Sequence, residues 1–217
     1  SLIKNVNYDA HKTDEFKNNA NNHELHSVVG YFAKLNLFKE DFIDKNLYSL
    51  TPKFLLRYAP GHMRKASTEG NKLNYGNLFN INKLNQVDIL EPGLSTSVGF
   101  EYKKNKLNDN NVIGKEILSF SMGQVISQKE NMDIPSSSSM DQRFSDIVGT
   151  GTYRINDKSN LNYNFSIDQG YKNFNYNEIG ADFGSNKAKF NINYLQEKNH
   201  IGNQEYLKTG FELGLSN

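Results

Sequence analysis

The feature that most constrains this fold is a regular alternation of apolar and polar residues between positions 158 and 194. Successive side chains of a β-strand point to opposite faces of the sheet, so the alternation predicts strands with one apolar and one polar face. The apolar face would contain Leu161, Tyr163, Phe165, Ile167, Ala188, Phe190, Ile192 and Tyr194. Short breaks rich in Gly and Asn, at 170–173 and 184–187, separate the alternating runs and predict tight turns between antiparallel hairpins.

The same alternation recurs along most of the chain and predicts an all-β protein, an antiparallel meander of about ten strands. Most of these strands have ~9–12 residues, close to the ~9–11 that a tilted strand needs to cross a bilayer. We expect a strand at about 24–37, a charged turn at 39–45 and a strand at 50–58. Pro52 lacks an N–H, so it should lie near the start of its strand or at an unpaired position. A serine-rich segment at 129–142 is expected to be a mobile loop.

The composition is compatible with a membrane protein of one class only. Hydrophobic residues make up 36% of the 217 residues and the mean hydropathy is negative, yet a transmembrane β-barrel needs an apolar residue only at every second position. No apolar run approaches the ~20 residues of a membrane-spanning helix. The net charge is +1 and no basic stripe is present, so nucleic acid is not an expected partner.

The residue types that carry chemistry occur without a catalytic or metal-binding arrangement. His23 and His26 are three positions apart and would point to opposite faces of a strand, so they cannot chelate one metal ion together. The acidic residues at 40–44 have no partner that suggests acid–base work, and the serines at 136–139 lack a nucleophile-elbow context. The chain has no cysteine. We therefore predict no enzymatic activity, no cofactor and no metal site.

The polar face and one long loop remain as candidate functional regions. Asn164, Asn191 and Asn193 lie on the polar face, which is either the solvent side of a soluble sheet or the lining of a water-filled barrel. Alternation alone does not decide between these, because a sandwich and a barrel share it. The loop at about 60–93 carries Arg64 and Lys65 and many apolar residues, so we expect it to be packed.

Four short segments occur along the chain in a fixed order. They are residues 3–7 (IKNVN), 49–53 (SLTPK) with 56–58 (LRY) following, 77–84 (NLFNINKL) with Asp88, Glu91 and Gly93 following, and 121–124 (SMGQ). In this order and spacing they resemble the barrel domain of the lipopolysaccharide-assembly outer-membrane proteins, the LptD or organic-solvent-tolerance family. The resemblance covers most of the chain. Together with the polar face and the long loop, it gives the candidate lumen and loop contacts Arg64, Lys65, Phe79, Asn82, Lys83, Asn164, Asn191 and Asn193.

The resemblance implies a translocon component in the outer membrane of a Gram-negative bacterium, which assembles lipopolysaccharide (LPS) and inserts it into the outer leaflet. It implies LPS, membrane lipid, a plug lipoprotein (LptE-like) and the periplasmic LPS-transport bridge as partners. Family barrels are large and the sequence has no initiator Met, so residues 1–217 are expected to form one segment of a large transmembrane outer-membrane β-barrel. The alternatives are another outer-membrane porin or receptor barrel, and a soluble Asn-rich β-sandwich that acts as a binding module or adhesin.

Overall fold

The chain folds into one antiparallel sheet, which confirms the all-β meander. The computed structural model describes residues 1–9, 21–63, 65–66, 72–84, 86, 89–108, 112–185, 187–198 and 203–213. The strands are β1 (Leu2–Asp9), β2 (Asn21–Lys34), β3 (Leu37–Asp41), β4 (Asn46–Ala59), β5 (Gly93–Leu107), β6 (Ile113–Ser127), β7 (Ile147–Asn156), β8 (Ser159–Ile167), β9 (Phe174–Gly184), β10 (Ala188–Glu197) and β11 (Gln204–Leu213). Within these ranges, no helix has the length and apolar character needed to span a membrane.

The strands pair in chain order, β1-β2-β4-β5-β6-β7-β8-β9-β10-β11, with β3 also paired to β4. All of these pairs are antiparallel, as expected for hairpins joined one after another. β1 and β11 form the two edges, and no ladder joins them within the described ranges. The sheet is therefore open between its first and last strands.

The segment around Pro52 differs in detail from the prediction. β2 ends at Lys34, and β3 occupies part of the stretch that we expected to be a turn. β2 and β3 pair with β4 in the same register, with Lys34 opposite Lys53 and Leu37 opposite Leu50. Pro52 lies in the middle of β4, opposite the break between β2 and β3, where it has no ladder partner on that side. The missing N–H explains the break, because a proline cannot complete the ladder there.

The sheet has one polar and one apolar face, as the alternation predicts. Cross-strand partners lie on the same face of the sheet, so the strand register assigns each residue to one of the two faces. The residues that define the apolar face are Tyr31, Phe54, Leu56, Tyr58, Leu94, Phe100, Phe120, Tyr163, Phe183, Phe190, Phe211 and Leu213. Those of the polar face are Lys53, Arg57, Ser95, Ser97, Glu101, Ser121, Thr150, Asn164, Ser166, Glu178, Asn191, Asn193 and Glu197.

The connections at the two ends of the strands differ in length. Tight turns follow β3 at 42–45 and β7 at 157–158. At the opposite end, two long connections join β4 to β5 and β6 to β7; we call them loop A (residues 60–92) and loop B (residues 128–146). Loop B contains a single 3-10 turn at Ser136–Ser138. Because alternate connections of a meander lie at the same end, loops A and B emerge side by side.

Candidate functional site

Loops A and B pack against each other and against the polar face; we call this assembly the double loop. Backbone hydrogen bonds join them, from the Ala66 amide to the Asp133 carbonyl (2.8 Å) and from the Leu73 amide to the Ser138 carbonyl (3.3 Å). Their shared hydrophobic core contains Met63, Ala66, Leu73, Leu78, Leu84, Ile89, Val125, Ile134, Met140 and Val148. Our expectation that loop B is a mobile segment is therefore wrong, because its apolar residues complete a core with loop A.

A pair of glycines allows the double loop to lie close to the strands. Gly99 of β5 and Gly123 of β6 are direct cross-strand partners. A Cβ atom on Gly123 would lie 2.5 Å from the Leu78 side chain, and one on Gly99 would lie 3.1 Å from the Phe79 ring. The two glycines thus form a depression that accepts the tip of loop A, a common reason for glycine inside a strand.

Aromatic contacts hold the tip of loop A over β4 and β5. The Phe79 ring contacts Phe32 and Tyr75 edge-on, each with a centroid separation of 5.9 Å. The Lys53 ammonium lies 5.5 Å from the Phe79 centroid and forms an ion pair with Glu101. The Tyr75 hydroxyl donates to Glu101 at 3.3 Å. Burial and the neighbouring carboxylate raise the pKa of Tyr75, so this hydroxyl stays protonated as a donor.

A buried ionic cluster fixes the base of loop A. Arg57 of β4 donates from Nε to the Ile81 carbonyl (2.6 Å) and from Nη2 to the Glu91 carbonyl (2.5 Å). The Glu91 carboxylate lies 3.4 Å from Arg57 Nη1 and 3.5 Å from Lys83 Nζ. Burial lowers the pKa of Lys83; Glu91 opposes this shift and Arg57 adds to it. Lys83 is only 2% exposed, so its role in this structure is to hold the loop.

Lys72 connects loop A to the far side of the sheet. Its ammonium forms an ion pair with Glu197 of β10 and lies 3.5 Å from the centroid of the Tyr176 ring of β9. Loop A ends at β5, and β9 and β10 are the fourth and fifth strands along the sheet from β5. Burial lowers the pKa of Lys72, and the hydrogen bond and charge of Glu197 oppose that shift. Loop A therefore crosses the polar face instead of covering only its own strands.

A hydrogen-bonded network centred on Glu178 organises the wall formed by β8, β9 and β10. The Glu178 carboxylate accepts from Asn164 (2.9 Å), Asn193 (3.3 Å) and the Tyr176 hydroxyl (2.9 Å). Asn191 lies on the same face two positions before Asn193, over the bare backbone of Gly210. The structure thus joins two predicted polar-face residues, Asn164 and Asn193, through a carboxylate that sequence reasoning did not single out, and Asn191 lines the same cavity.

The remaining predicted site residues lie apart from this wall. Phe79 and Lys83 are packed in loop A, where Asn82 donates to the Leu84 carbonyl at 3.0 Å. Lys65 is exposed on the same loop. Arg64 lies outside the described residues. Within the part of the chain that the structure describes, no group of three or more His, Cys, Asp or Glu side chains is placed to hold a metal ion.

The double loop leaves three adjoining cavities along the polar face. Two cavities, of about 480 and 460 Å³, meet at Asn164. A third, of about 220 Å³, meets the first at Lys72 and Ser166. Their walls come from strands β7 to β11 and from both loops, so the three cavities lie next to one another along the polar face.

Comparison with known proteins identifies the family. A search of curated proteins finds no match to this chain. The model of the family described as "LptD: LPS transport system D" matches residues 5–215, nearly the whole sequence, including the double loop and the β8–β10 wall. Proteins of this family act in LPS transport at the outer membrane. The chain therefore belongs to the LptD family of the LPS transport system.

Proposed function

We propose that this chain is a segment of an outer-membrane β-barrel that inserts LPS into the outer leaflet of a Gram-negative bacterium. The observation that carries the proposal is the inverted distribution of polarity across the sheet. The apolar face is open, with Leu56 40% and Phe211 67% exposed, whereas Arg57 and Ser97 on the polar face are each 1% exposed. An open apolar face of this extent suits lipid, and a covered polar face suits a lumen.

The same distribution disfavours a soluble β-sandwich. In a sandwich, two sheets bury their apolar faces against each other and leave their polar faces in water. Here the loops cover the polar face instead. The family match in turn favours LPS transport over a general porin or receptor barrel.

In the proposed mechanism, the polar face lines a hydrated lumen through which the sugars of LPS pass, while the acyl chains move into the membrane beside the barrel. Barrels of this kind place long loops outside the cell and tight turns in the periplasm. Loops A and B would then lie at the outer mouth, and the periplasmic bridge would deliver LPS at the end with the tight turns. A plug lipoprotein inside the lumen would face the β8–β10 wall and the double loop.

The candidate contacts divide between two roles. Lys83 and Phe79 stabilise the double loop from inside its packed region. Lys65 is exposed on loop A, where its ammonium could meet an LPS phosphate. Asn164, Asn191 and Asn193 line the lumen, where carboxamides meet water and sugar hydroxyls.

The proposal is tested by depleting the protein and following newly made LPS. Cells are pulse-labelled, membranes are fractionated, and the share of labelled LPS in the outer membrane is measured. We expect that share to fall on depletion and to recover with the wild-type protein. Outer-membrane LPS that arrives at an unchanged rate in depleted cells would contradict the proposal.

Two variants on neighbouring residues make the rescue specific to the proposed faces. Ile192→Lys places a charge on the lipid face and should fail to restore transport, because a Lys near the bilayer midplane costs about 2–4 kcal/mol. Asn191→Lys, on the lumen face, should restore assembly of the protein. Equal rescue by both variants would argue against the assignment of the faces.

A further inference from the structure

We propose that the β8–β10 wall is a binding groove for the uncharged, hydroxyl-rich part of an oligosaccharide, and that it selects against phosphate groups. The proposal rests on the proposed function, which brings LPS to the polar face, and it assigns which part of that molecule this wall recognises. We define the groove by the two larger cavities, which meet at Asn164.

The groove has the size and shape of a ligand site. Its two cavities, of about 480 and 460 Å³, each lie in the range of ~300–1,000 Å³ that is usual for small-molecule pockets. The double loop forms one side, through Asn74 and Tyr75, and the strands form the other. A chain-like ligand would therefore contact both cavities along the β8–β10 wall.

The lining of the groove matches sugar hydroxyl groups. Four carboxamides line its second cavity, from Asn162, Asn164, Asn191 and Asn193. A carboxamide offers two donors and an acceptor, and a hydroxyl group both donates and accepts, so the two are complementary. This pairing requires no charge on the ligand.

The charge of the groove and of the adjoining third cavity is unfavourable for phosphate. The carboxylates along the three cavities belong to Asp141, Asp146, Asp168, Glu178, Asp182 and Glu197, and the amines to Lys72, Lys198 and Lys208. Lys72 is already paired with Glu197. Within the groove itself, the Lys72–Glu197 pair leaves the carboxylates of Glu178 and Asp182 against the single amine of Lys208. This net negative charge repels an anionic ligand and leaves a neutral one unaffected.

The wall is also pre-organised for binding. Glu178 accepts hydrogen bonds from Asn164 and Asn193, which fixes the orientation of two of the four carboxamides before a ligand arrives. Asn162 is held by Thr152, whose hydroxyl donates to its oxygen at 3.2 Å. Side chains ordered in advance lose less entropy on binding, which favours recognition of weakly interacting hydroxyl groups.

The test measures binding of two probes to the complete protein purified in detergent, in the presence of EDTA so that no divalent cation bridges phosphate to carboxylate. The probes are the delipidated core oligosaccharide of the host LPS and the same oligosaccharide after enzymatic dephosphorylation. We expect the dephosphorylated probe to bind more tightly. Tighter binding of the phosphorylated probe, or no binding of either, would overturn the proposal.

Variants locate the site and check its charge preference. Asn191→Ala and Asn162→Ala should each weaken binding of the dephosphorylated probe about three- to tenfold, the usual consequence of losing one hydrogen bond. Asn105→Ala, on the polar face of β5 outside the groove, is the matched control and should leave affinity unchanged. Equal effects of all three substitutions would place the binding elsewhere.

Asp182→Asn tests the exclusion of phosphate. It removes an exposed carboxylate from the groove and should raise the affinity for the phosphorylated probe relative to the dephosphorylated one. A ratio that does not change would contradict the charge argument. If these binding tests fail while LPS transport still depends on the protein, only the proposed binding groove is wrong. If binding is as expected but LPS transport does not depend on the protein, the proposed transport function is wrong.

Discussion

At the scale of single residues, the base of loop A depends on one carboxylate shared by two buried cations. Glu91 lies within ion-pair distance of Arg57 and Lys83, and all three side chains are buried. Removing one member of a buried ionic group leaves an uncompensated charge in a poorly solvated environment, which costs more than the pair contributes. The attachment of loop A to β4 is therefore most sensitive to substitution of Glu91.

We expect Glu91→Gln to destabilise the folded protein by about 3–5 kcal/mol. The control is Glu116→Gln, which breaks the solvent-accessible pair with Lys103 and should cost about 1 kcal/mol or less. Equilibrium unfolding by guanidinium in lipid vesicles measures both free energies. A similar small effect of the two substitutions would show that the buried cluster does not hold the loop.

The glycine depression under loop A leads to a second residue-scale prediction. Gly123→Ala places a methyl group 2.5 Å from both the Leu78 side chain and the Val98 carbonyl oxygen, and overpacking of this kind should cost about 1–3 kcal/mol. At Gly151 the nearest atom to a new Cβ is 3.5 Å away, so Gly151→Ala should be nearly neutral. Limited proteolysis within loop A measures the loosening directly. Equal protease sensitivity of the two variants would show that loop A does not need the depression.

At the scale of elements, the double loop behaves as a small packed unit set on the polar face. Its core joins both loops to Val125 and Val148 of the strands, and Lys72 anchors it to β9 and β10. Long loops without secondary structure are usually functional or disordered, and the packing here favours a functional one. If the polar face lines a lumen, this unit obstructs its outer mouth.

We therefore expect the double variant Leu78→Ser/Phe79→Ser to assemble but to make the cell permeable to large antibiotics, as should deletion of residues 75–88. The matched control is Phe42→Ser/Ile43→Ser, which changes two exposed apolar residues in a tight turn at the opposite end. Antibiotic sensitivity and outer-membrane levels of each variant provide the measurement. Unchanged permeability, partner binding and LPS export in the loop variants would show that the double loop is only a structural cap.

Sequence reasoning predicted the strands well because the period-two alternation is a local signal. It also identified Asn164, Asn191 and Asn193 as sharing a face, which needs only the parity of their positions. It missed the pairing of Lys72 with Glu197, residues 125 positions apart, because nothing local links them. The unpaired position expected for Pro52 is confirmed on the side of β4 that faces β2 and β3. The turn expected at 39–45, part of which forms β3, and the packing of loop B were misjudged for a related reason, because each depends on a neighbouring strand or loop and not on its own sequence.

At the scale of the whole molecule, the open edges decide what the segment can do alone. In the part of the chain that the structure describes, β1 pairs only with β2 and β11 only with β10. In lipid, each unpaired backbone group costs several kcal/mol, so a sheet with open edges does not persist in a bilayer. We propose that strands outside residues 1–217 pair with these edges to complete the barrel.

We expect residues 1–217, expressed alone and refolded in detergent, not to form a monodisperse barrel whose gel mobility changes on boiling. The complete polypeptide, as control, should show that heat-dependent shift, because a closed ladder resists detergent until heated. A heat-modifiable monomer formed by residues 1–217 alone would show that these strands close on themselves.

Cysteine labelling at three consecutive positions of β10 tests directly whether the apolar face meets lipid and the polar face lines a lumen. Residues 1–217 contain no native cysteine, so single substitutions at Phe190, Asn191 and Ile192 each add one thiol to this segment, and the complete protein without a substitution gives the background labelling. We predict that Phe190→Cys and Ile192→Cys react with a membrane-dissolved probe, and that Asn191→Cys reacts with a water-soluble one. Equal reactivity of all three positions with either probe would contradict the account.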